Sequence, residues 1–247
     1  MPPRIFLDAG WSEGETLVLP PAASRHVQVL RLQPGEPLVL FNGRDGAEWP
    51  AQVLRMGRSE VELRIAGAAM PVPRELACAV TLAIGMPANE RMDGLVEKAT
   101  ELGAAAIVPL VAARSVVRLS GERAEARQRH WQGVATAAAE QCGRARVPAV
   151  ALPGKLDAWL ASLPAAGGER WLLSFAAEAR LPAAMFQNGD RAPALTVLSG
   201  PEGGLSPEEE TAALRCGFRP VSLGPRTLRA DTAPLALLSW LGLIAPD

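Results

Sequence analysis

Arg226, Arg229 and Asp231 lie close together in one segment, and Glu202 sits among Gly200, Gly203 and Gly204 a little upstream. Two arginines beside a carboxylate can orient a polar substrate and stabilise negative charge that develops on it. They can equally form a surface salt bridge. The glycines let backbone N–H and C=O groups approach a flat ring, which an adenine could exploit, and they also suit a tight turn with positive φ. Ser206-Pro207-Glu208-Glu209 then reads as a capping box with Pro at the first helical position. Glu202, Glu208, Glu209 and Glu210 suit the positive end of that helix but repel a phosphate there. A neutral or cationic ligand is better tolerated. Neither GxxxxGK[ST] nor a GxGxxG after a strand is present, so no phosphate cradle of known type is encoded.

Other chemistries are poorly served. His26 and His130 are the only histidines and have no Ser or Cys partner at a recognisable spacing, so no nucleophilic triad is expected. No carboxylate pair stands out as an acid/base couple. Cys78, Cys142 and Cys216 are odd in number and far apart. That spacing fits neither a disulfide framework nor a zinc site, and points to a reducing cytoplasm with no metal.

The elements that must position these loops alternate between strands and helices. Leu195–Ser199 precedes the first loop and Pro220–Leu223 the second, each an apolar run of strand length. Cys78–Ile84, Ala106–Leu110, Ala149–Leu152 and Trp171–Phe175 are further strands. A helix capped by Asn89 carries Met92, Leu95, Val96, Ala99 and Leu102 and stops at Gly103. A long helix over roughly 122–142 has Trp131, Val134, Ala135 and Ala138 on one face. A last helix, about 232–244, is apolar nearly all round, so it belongs in the core or against a partner. This pattern predicts a parallel sheet covered by helices, with ligand loops at the strands' carboxyl ends. Residues 1–70 differ. Thr16–Leu19, Leu38–Phe41, Val53–Leu54 and Val61–Ile65 read as strands, Ser24–Leu32 as a short helix, and Asn42–Gly46 as a hairpin turn. Residues 66–73 read as a linker.

At 247 residues with 49% apolar composition, the chain can bury a real core. It lacks an apolar run of membrane-spanning length and a signal peptide. Net charge is −1, but Arg114, Arg118, Arg123, Arg127, Arg129, Arg144 and Arg146 outnumber the acids of their segment. Such an excess can form an anion-facing patch or a solvated helix face with Arg–Glu pairs.

Taken together, the chain resembles the RsmE family of RNA methyltransferases in the SPOUT superfamily. The resemblance rests on His26–Arg31, Pro34-Gly35 and Leu40–Gly43 in the first domain. In the second it rests on Glu90–Asp93, Lys98–Gly103, Pro109, Arg114-Ser115, Trp131, Ala138–Arg144, Val147-Pro148, Gly200–Gly204 and Leu223–Thr232. It implies an α/β fold: a C-terminal SPOUT trefoil-knot parallel-sheet domain over 74–247 and an N-terminal PUA-like RNA-binding β-barrel over 1–70. Knots are rare exceptions among folds. It further implies a cytoplasmic homodimer that transfers a methyl group from S-adenosyl-L-methionine to N3 of one uridine in 16S rRNA of the small ribosomal subunit.

Carried over by position, the resemblance places the cofactor on Leu198, Ser199, Gly200, Pro201, Glu202, Gly203, Gly204, Leu223, Gly224, Pro225, Leu228 and Thr232. Arg229 and Asp231 take catalytic roles; Asp231 stands where the family usually has Glu. RNA contacts fall to Arg25, His26, Arg31, Arg44, Arg91, Lys98, Arg114, Arg118 and Arg144. Arg91 stands where many members have Lys, which keeps charge but not geometry. Arg144→Ala is expected to weaken RNA binding and spare cofactor affinity. Three other readings stand beside this one: a non-catalytic RNA binder, a SPOUT enzyme for another RNA or atom, and an unrelated adenine-nucleotide enzyme.

Overall fold

The computed structural model describes residues 2–88, 91–165, 167–185 and 193–244. The chain divides into two compact units, Met1–Glu75 with Thr136–Val147, and Leu76–Ala135 with Pro148–Asp247. The strands and helices of the first unit are β1 (Arg4–Phe6), β2 (Thr16–Val18), α1 (Pro21–Val29), β3 (Pro37–Phe41), β4 (Ala47–Met56), β5 (Val61–Ile65) and β6 (Met70–Pro71). Then follow β7 (Ala79–Gly85), α2 (Arg91–Glu101), β8 (Ala106–Val111), α3 (Gly121–Cys142), β9 (Ala149–Val150), β10 (Gly154–Lys155) and α4 (Leu156–Ser162). The chain closes with β11 (Glu169–Leu173), β12 (Ala194–Ser199), α5 (Pro207–Arg215), β13 (Arg219–Val221) and α6 (Thr232–Leu243).

In the first unit the strands run in the order β1-β3-β4-β5-β2. All pairings are antiparallel except β1 with β3. Alternation in β5 sends Val61, Leu63 and Ile65 inward to a core with Ile5, Val27, Leu38, Leu40 and Val53. The β3–β4 turn is built by side-chain chemistry: Asn42 Oδ1 accepts from the amides of Arg44 and Asp45 at 2.9 and 3.1 Å. Residues 66–73 are more than a linker, because Met70 and Pro71 pair with Glu48 and Ala47 of β4. The end of α3 from Thr136 onward belongs to this unit, and Ala139 and Ala145 pack with Phe41.

The second unit is a wholly parallel sheet in the order β10-β8-β7-β12-β11-β13, with β9 also on β8. Its central strand is fully buried at Val80 and Leu82 through Ile84, as expected where helices cover both faces. Of the stripe predicted on α2, Met92, Leu95, Val96 and Ala99 are buried, Leu102 lies half-buried just past the helix end, and Gly103 follows at φ 95°. The cap expected at Asn89 lies outside the described residues. The helix α6 buries Pro234, Leu237, Leu238 and Leu241 and leaves Leu243 exposed. No described helix is long and apolar enough to cross a membrane.

Candidate active site

The strands β12, β11 and β13 are neighbours in the sheet and run in the same direction. Their carboxyl ends therefore open side by side, and the segments that follow them line one cavity of about 720 Å³. That volume suits a cofactor-sized ligand. The first wall is Ser199 to Leu205, the second Leu223, Gly224 and Arg226 to Ala230, and the third Leu173 to Ala176.

The glycine-rich wall is shaped by close packing. A Cβ on Gly85, at the end of β7, would stand 2.4 Å from the Pro201 ring, and one on Gly200 would stand 2.9 Å from the Gly204 backbone. The amide of Gly204 donates to the carbonyl of Pro201 at 2.8 Å, and Gly204 has φ 69°. Only glycine meets these demands without displacing the loop. The capping box is present in full, with Glu209 accepting from the Ser206 amide at 2.8 Å. The other oxygen of Glu209 accepts from the Ala113 amide at 2.7 Å, and Glu202 accepts from the Ala88 amide at 2.9 Å. Glu208 is held below the usual carboxylate range by the Ser206 hydroxyl. Several acids that the sequence set at this loop thus staple it to neighbouring segments. Glu202 and Glu210 also line the cavity.

In the second wall, Gly224 takes φ 97° and its amide donates to Ser222 Oγ at 3.2 Å. Arg226 and Arg229 are exposed cavity residues. The Arg229 carbonyl accepts from the amides of Thr232 and Ala233, both at 3.0 Å, which starts α6. Asp231 opens that helix without a capping bond, and its buried Oδ1 has no hydrogen-bond partner. A buried carboxylate oxygen left so is costly. Among the residues expected at the cofactor, the cavity gathers Ser199 to Gly204, Leu223, Gly224 and Leu228, together with Arg229. Leu198, Pro225, Asp231 and Thr232 do not line it.

The third wall was not expected from the sequence. The amide of Ser174 donates to Val221 O at 3.0 Å, and Ser174 Oγ accepts from the Ala176 amide at 3.1 Å. The apolar run Trp171–Phe175 hid it: β11 stops at Leu173, and what followed read as more strand.

The candidate RNA residues divide between the units. Arg25, His26, Arg31 and Arg44 belong to the first, where Arg44 pairs with Asp8 at 2.7 Å and His26 lies 3.9 Å from Glu140. Burial pushes the Glu140 carboxyl up, against the opposing pull of the Phe6 amide, His26 and Arg4. Arg91, Lys98, Arg114 and Arg118 belong to the second unit. Arg91 lies 3.7 Å from Glu202, and Lys98 pairs with Glu97 and Glu101 at 2.7 and 2.8 Å. Arg114 donates to the Gly203 carbonyl at 2.9 Å, so it props the glycine-rich wall. Arg144 requires a correction. Its side chain is 3% exposed and paired with Glu75 within the first unit, so it holds the fold and offers no face to RNA.

His130 does have a partner, though not a nucleophile. Its Nε2 lies 2.7 Å from Asp93 Oδ2, while Trp131 Nε1 donates to Asp93 Oδ1 at 2.9 Å. Burial pushes the Asp93 carboxyl up, but the His130 and Trp131 hydrogen bonds outweigh it and hold it below the usual range. Among the described residues no group of His, Cys, Asp or Glu is arranged to hold a metal.

A family model described as an RNA methyltransferase domain matches residues 74–242, and one described as an RNA methyltransferase PUA domain matches residues 19–66. The chain belongs to this RNA methyltransferase family. It is 32% identical over 232 residues to ribosomal RNA small subunit methyltransferase E of Synechocystis, spanning 93% of this chain and 73% of that one. The Bacillus subtilis protein of the same name is 30% identical, across 86% of this chain and 84% of its own. A crystal structure of ribosomal RNA small subunit methyltransferase E from Neisseria gonorrhoeae bound to S-adenosyl methionine superposes with TM-score 0.87 at 34% identity. It covers 98% of this chain and 97% of that one. The α/β fold is therefore that of a SPOUT methyltransferase with an N-terminal PUA-like domain.

Proposed function

We propose that this chain is an S-adenosylmethionine-dependent methyltransferase acting on 16S rRNA of the small ribosomal subunit, and that it methylates N3 of one uridine. The observation that carries the reading is the cavity at the carboxyl ends of β12, β11 and β13, in a chain of this family. The residues present fit the cofactor. Close-packed Gly200 and Gly203 bring backbone to the cavity wall, where an adenine can be read by N–H and C=O groups, and Gly85 behind them leaves room for Pro201. The carboxylates of Glu202 and Glu210 suit an ammonium and a sulfonium, whereas they would repel a nucleotide's phosphates. Leu173, Leu205, Val221 and Ala233 provide apolar lining. When bound, S-adenosylmethionine supplies an electrophilic methyl group.

The remaining work falls to the protein. Uridine N3 carries a weakly acidic proton on its pairing edge, so the base must be unpaired and turned toward the cavity. N3 would lose that proton to solvent water, leaving negative charge spread over N3 and the neighbouring carbonyl oxygens, and would then bond to the methyl carbon as the methyl–sulfur bond breaks and the cofactor departs as its neutral thioether. Arg229 stabilises that charge. Asp231 opens α6 two residues later, and its buried Oδ1, off the cavity lining, is assigned to positioning Arg229 and not to touching the substrate. Arg25, His26, Arg31 and Arg44 of the PUA-like unit, with Arg91, Lys98 and Arg118 of the catalytic unit, bind phosphates, which set register without reading sequence. A net charge of −1 suits a shaped substrate over indiscriminate RNA binding. The same reading makes the protein a homodimer with a trefoil knot around the cofactor.

The reading is tested by calorimetry with S-adenosylmethionine and by transfer of a labelled methyl group to small subunits, large subunits and naked 16S rRNA. Saturable cofactor binding with transfer confined to the small subunit is expected. Absent cofactor binding would leave a non-catalytic RNA binder, and transfer to another RNA would reject the substrate.

A further inference from the structure

Phe175 is out of character with the chain's other aromatic side chains. The protein has five Phe, six Trp and no Tyr. Among the described residues every other one is buried or half-buried, whereas Phe175 is 71% exposed. It also lines the cavity. Its position is held from both sides: the Ser174 amide bonds to Val221 of β13, and Ser174 Oγ receives the Ala176 amide. Ala176 in turn accepts from the Ala179 amide at 3.0 Å. An apolar ring this exposed at the edge of the cavity contributes little to the core. Its exposed ring is available to whatever enters. The exposed Arg226 and Arg229 line the same cavity from the loop after β13.

We propose that Phe175 is the platform on which the target base stacks, a specificity-determining contact for single-stranded RNA that rests on the functional reading above. Unpaired bases are held in proteins by stacking on aromatic rings, with guanidinium groups on the adjoining phosphates. Stacking engages the face of the base and leaves its edge free, which a reaction at N3 demands. Phenylalanine adds no donor or acceptor that would compete for that edge. The enclosed apolar side chains Leu173, Leu205 and Val221 are better placed to hold the cofactor, and a rim residue exposed this far suits the macromolecule.

The test compares wild type, Phe175→Ala and Phe175→Trp. The readouts are steady-state transfer to unmodified small subunits, calorimetry with S-adenosylmethionine, binding of a single-stranded oligonucleotide centred on one uridine, and mass by light scattering. Phe175→Ala should raise KM for the subunit and weaken oligonucleotide binding roughly five- to hundredfold. Its cofactor affinity and mass should match wild type, and Phe175→Trp should keep wild-type values. Equal loss of cofactor affinity would make Phe175 a cofactor wall, a changed mass would make it a subunit contact, and unchanged binding would remove any role; each overturns the proposal. If wild type itself transfers no methyl group, the functional reading fails, and the oligonucleotide measurement alone still decides Phe175.

Discussion

Gly85 carries no chemistry, yet the shape of the cofactor cavity depends on it. Any Cβ there meets Pro201 at 2.4 Å and pushes the Gly200–Gly204 turn outward. Gly85→Ala should weaken S-adenosylmethionine binding at least tenfold by calorimetry, although the residue lines no part of the cavity. Arg229→Ala should behave in the opposite way. Removing one electrostatic donor from a developing anion costs about a hundred- to a thousandfold in kcat, and cofactor affinity should be unchanged. A matching loss of affinity would reassign Arg229 to cofactor binding. The glycines of the loop and the capping box at Ser206 were legible because local turn and helix-start chemistry dictates them. Gly85 and Phe175 were not legible. Their roles come from a neighbouring strand or a shared cavity, and nothing near them in sequence reports it.

Helices and strands with long apolar stripes were readable, such as α2, β7, β12 and α6. The short β10 and α4 were not, because two strand residues and seven helical ones carry too little periodicity. The side-chain clasp between α2 and α3 was equally hidden, since Asp93 and His130 are far apart in sequence. Asp93→Ala leaves Trp131 Nε1 without its acceptor and should lower stability by about 1 kcal/mol near neutral pH, the figure being held down by solvent screening at a part-exposed carboxylate. Its folded pKa lies below the ordinary value of 3.8. The contribution of ionised Asp93 is therefore complete above that value and is lost as pH falls through the lower folded one. Urea midpoints for wild type and variant should converge in strong acid; a gap that widens there would contradict the assignment.

At the scale of the whole molecule, the sequence pattern changes from short alternating strands to alternating strands and helices near residue 74. The sequence boundary could not show that Thr136–Val147 belongs with the first unit, because α3 runs through residue 135 without a break. For the same reason Arg144 looked like an RNA contact, when its partner Glu75 lies far upstream. The Arg144–Glu75 pair is only part-buried, with Glu75 27% exposed, so removing Arg144 costs about 1–3 kcal/mol. Arg144→Ala should lower the urea midpoint and reduce cofactor binding and RNA binding together in proportion to unfolded protein; selective loss of RNA binding in a fully folded variant would restore the earlier expectation. The central claim is the atom that receives the methyl group. The most direct measurement is nucleoside analysis of small-subunit rRNA after transfer from labelled S-adenosylmethionine to subunits lacking the modification. The account predicts 3-methyluridine at a single site, and label in any other nucleoside, or in ribose, would contradict it.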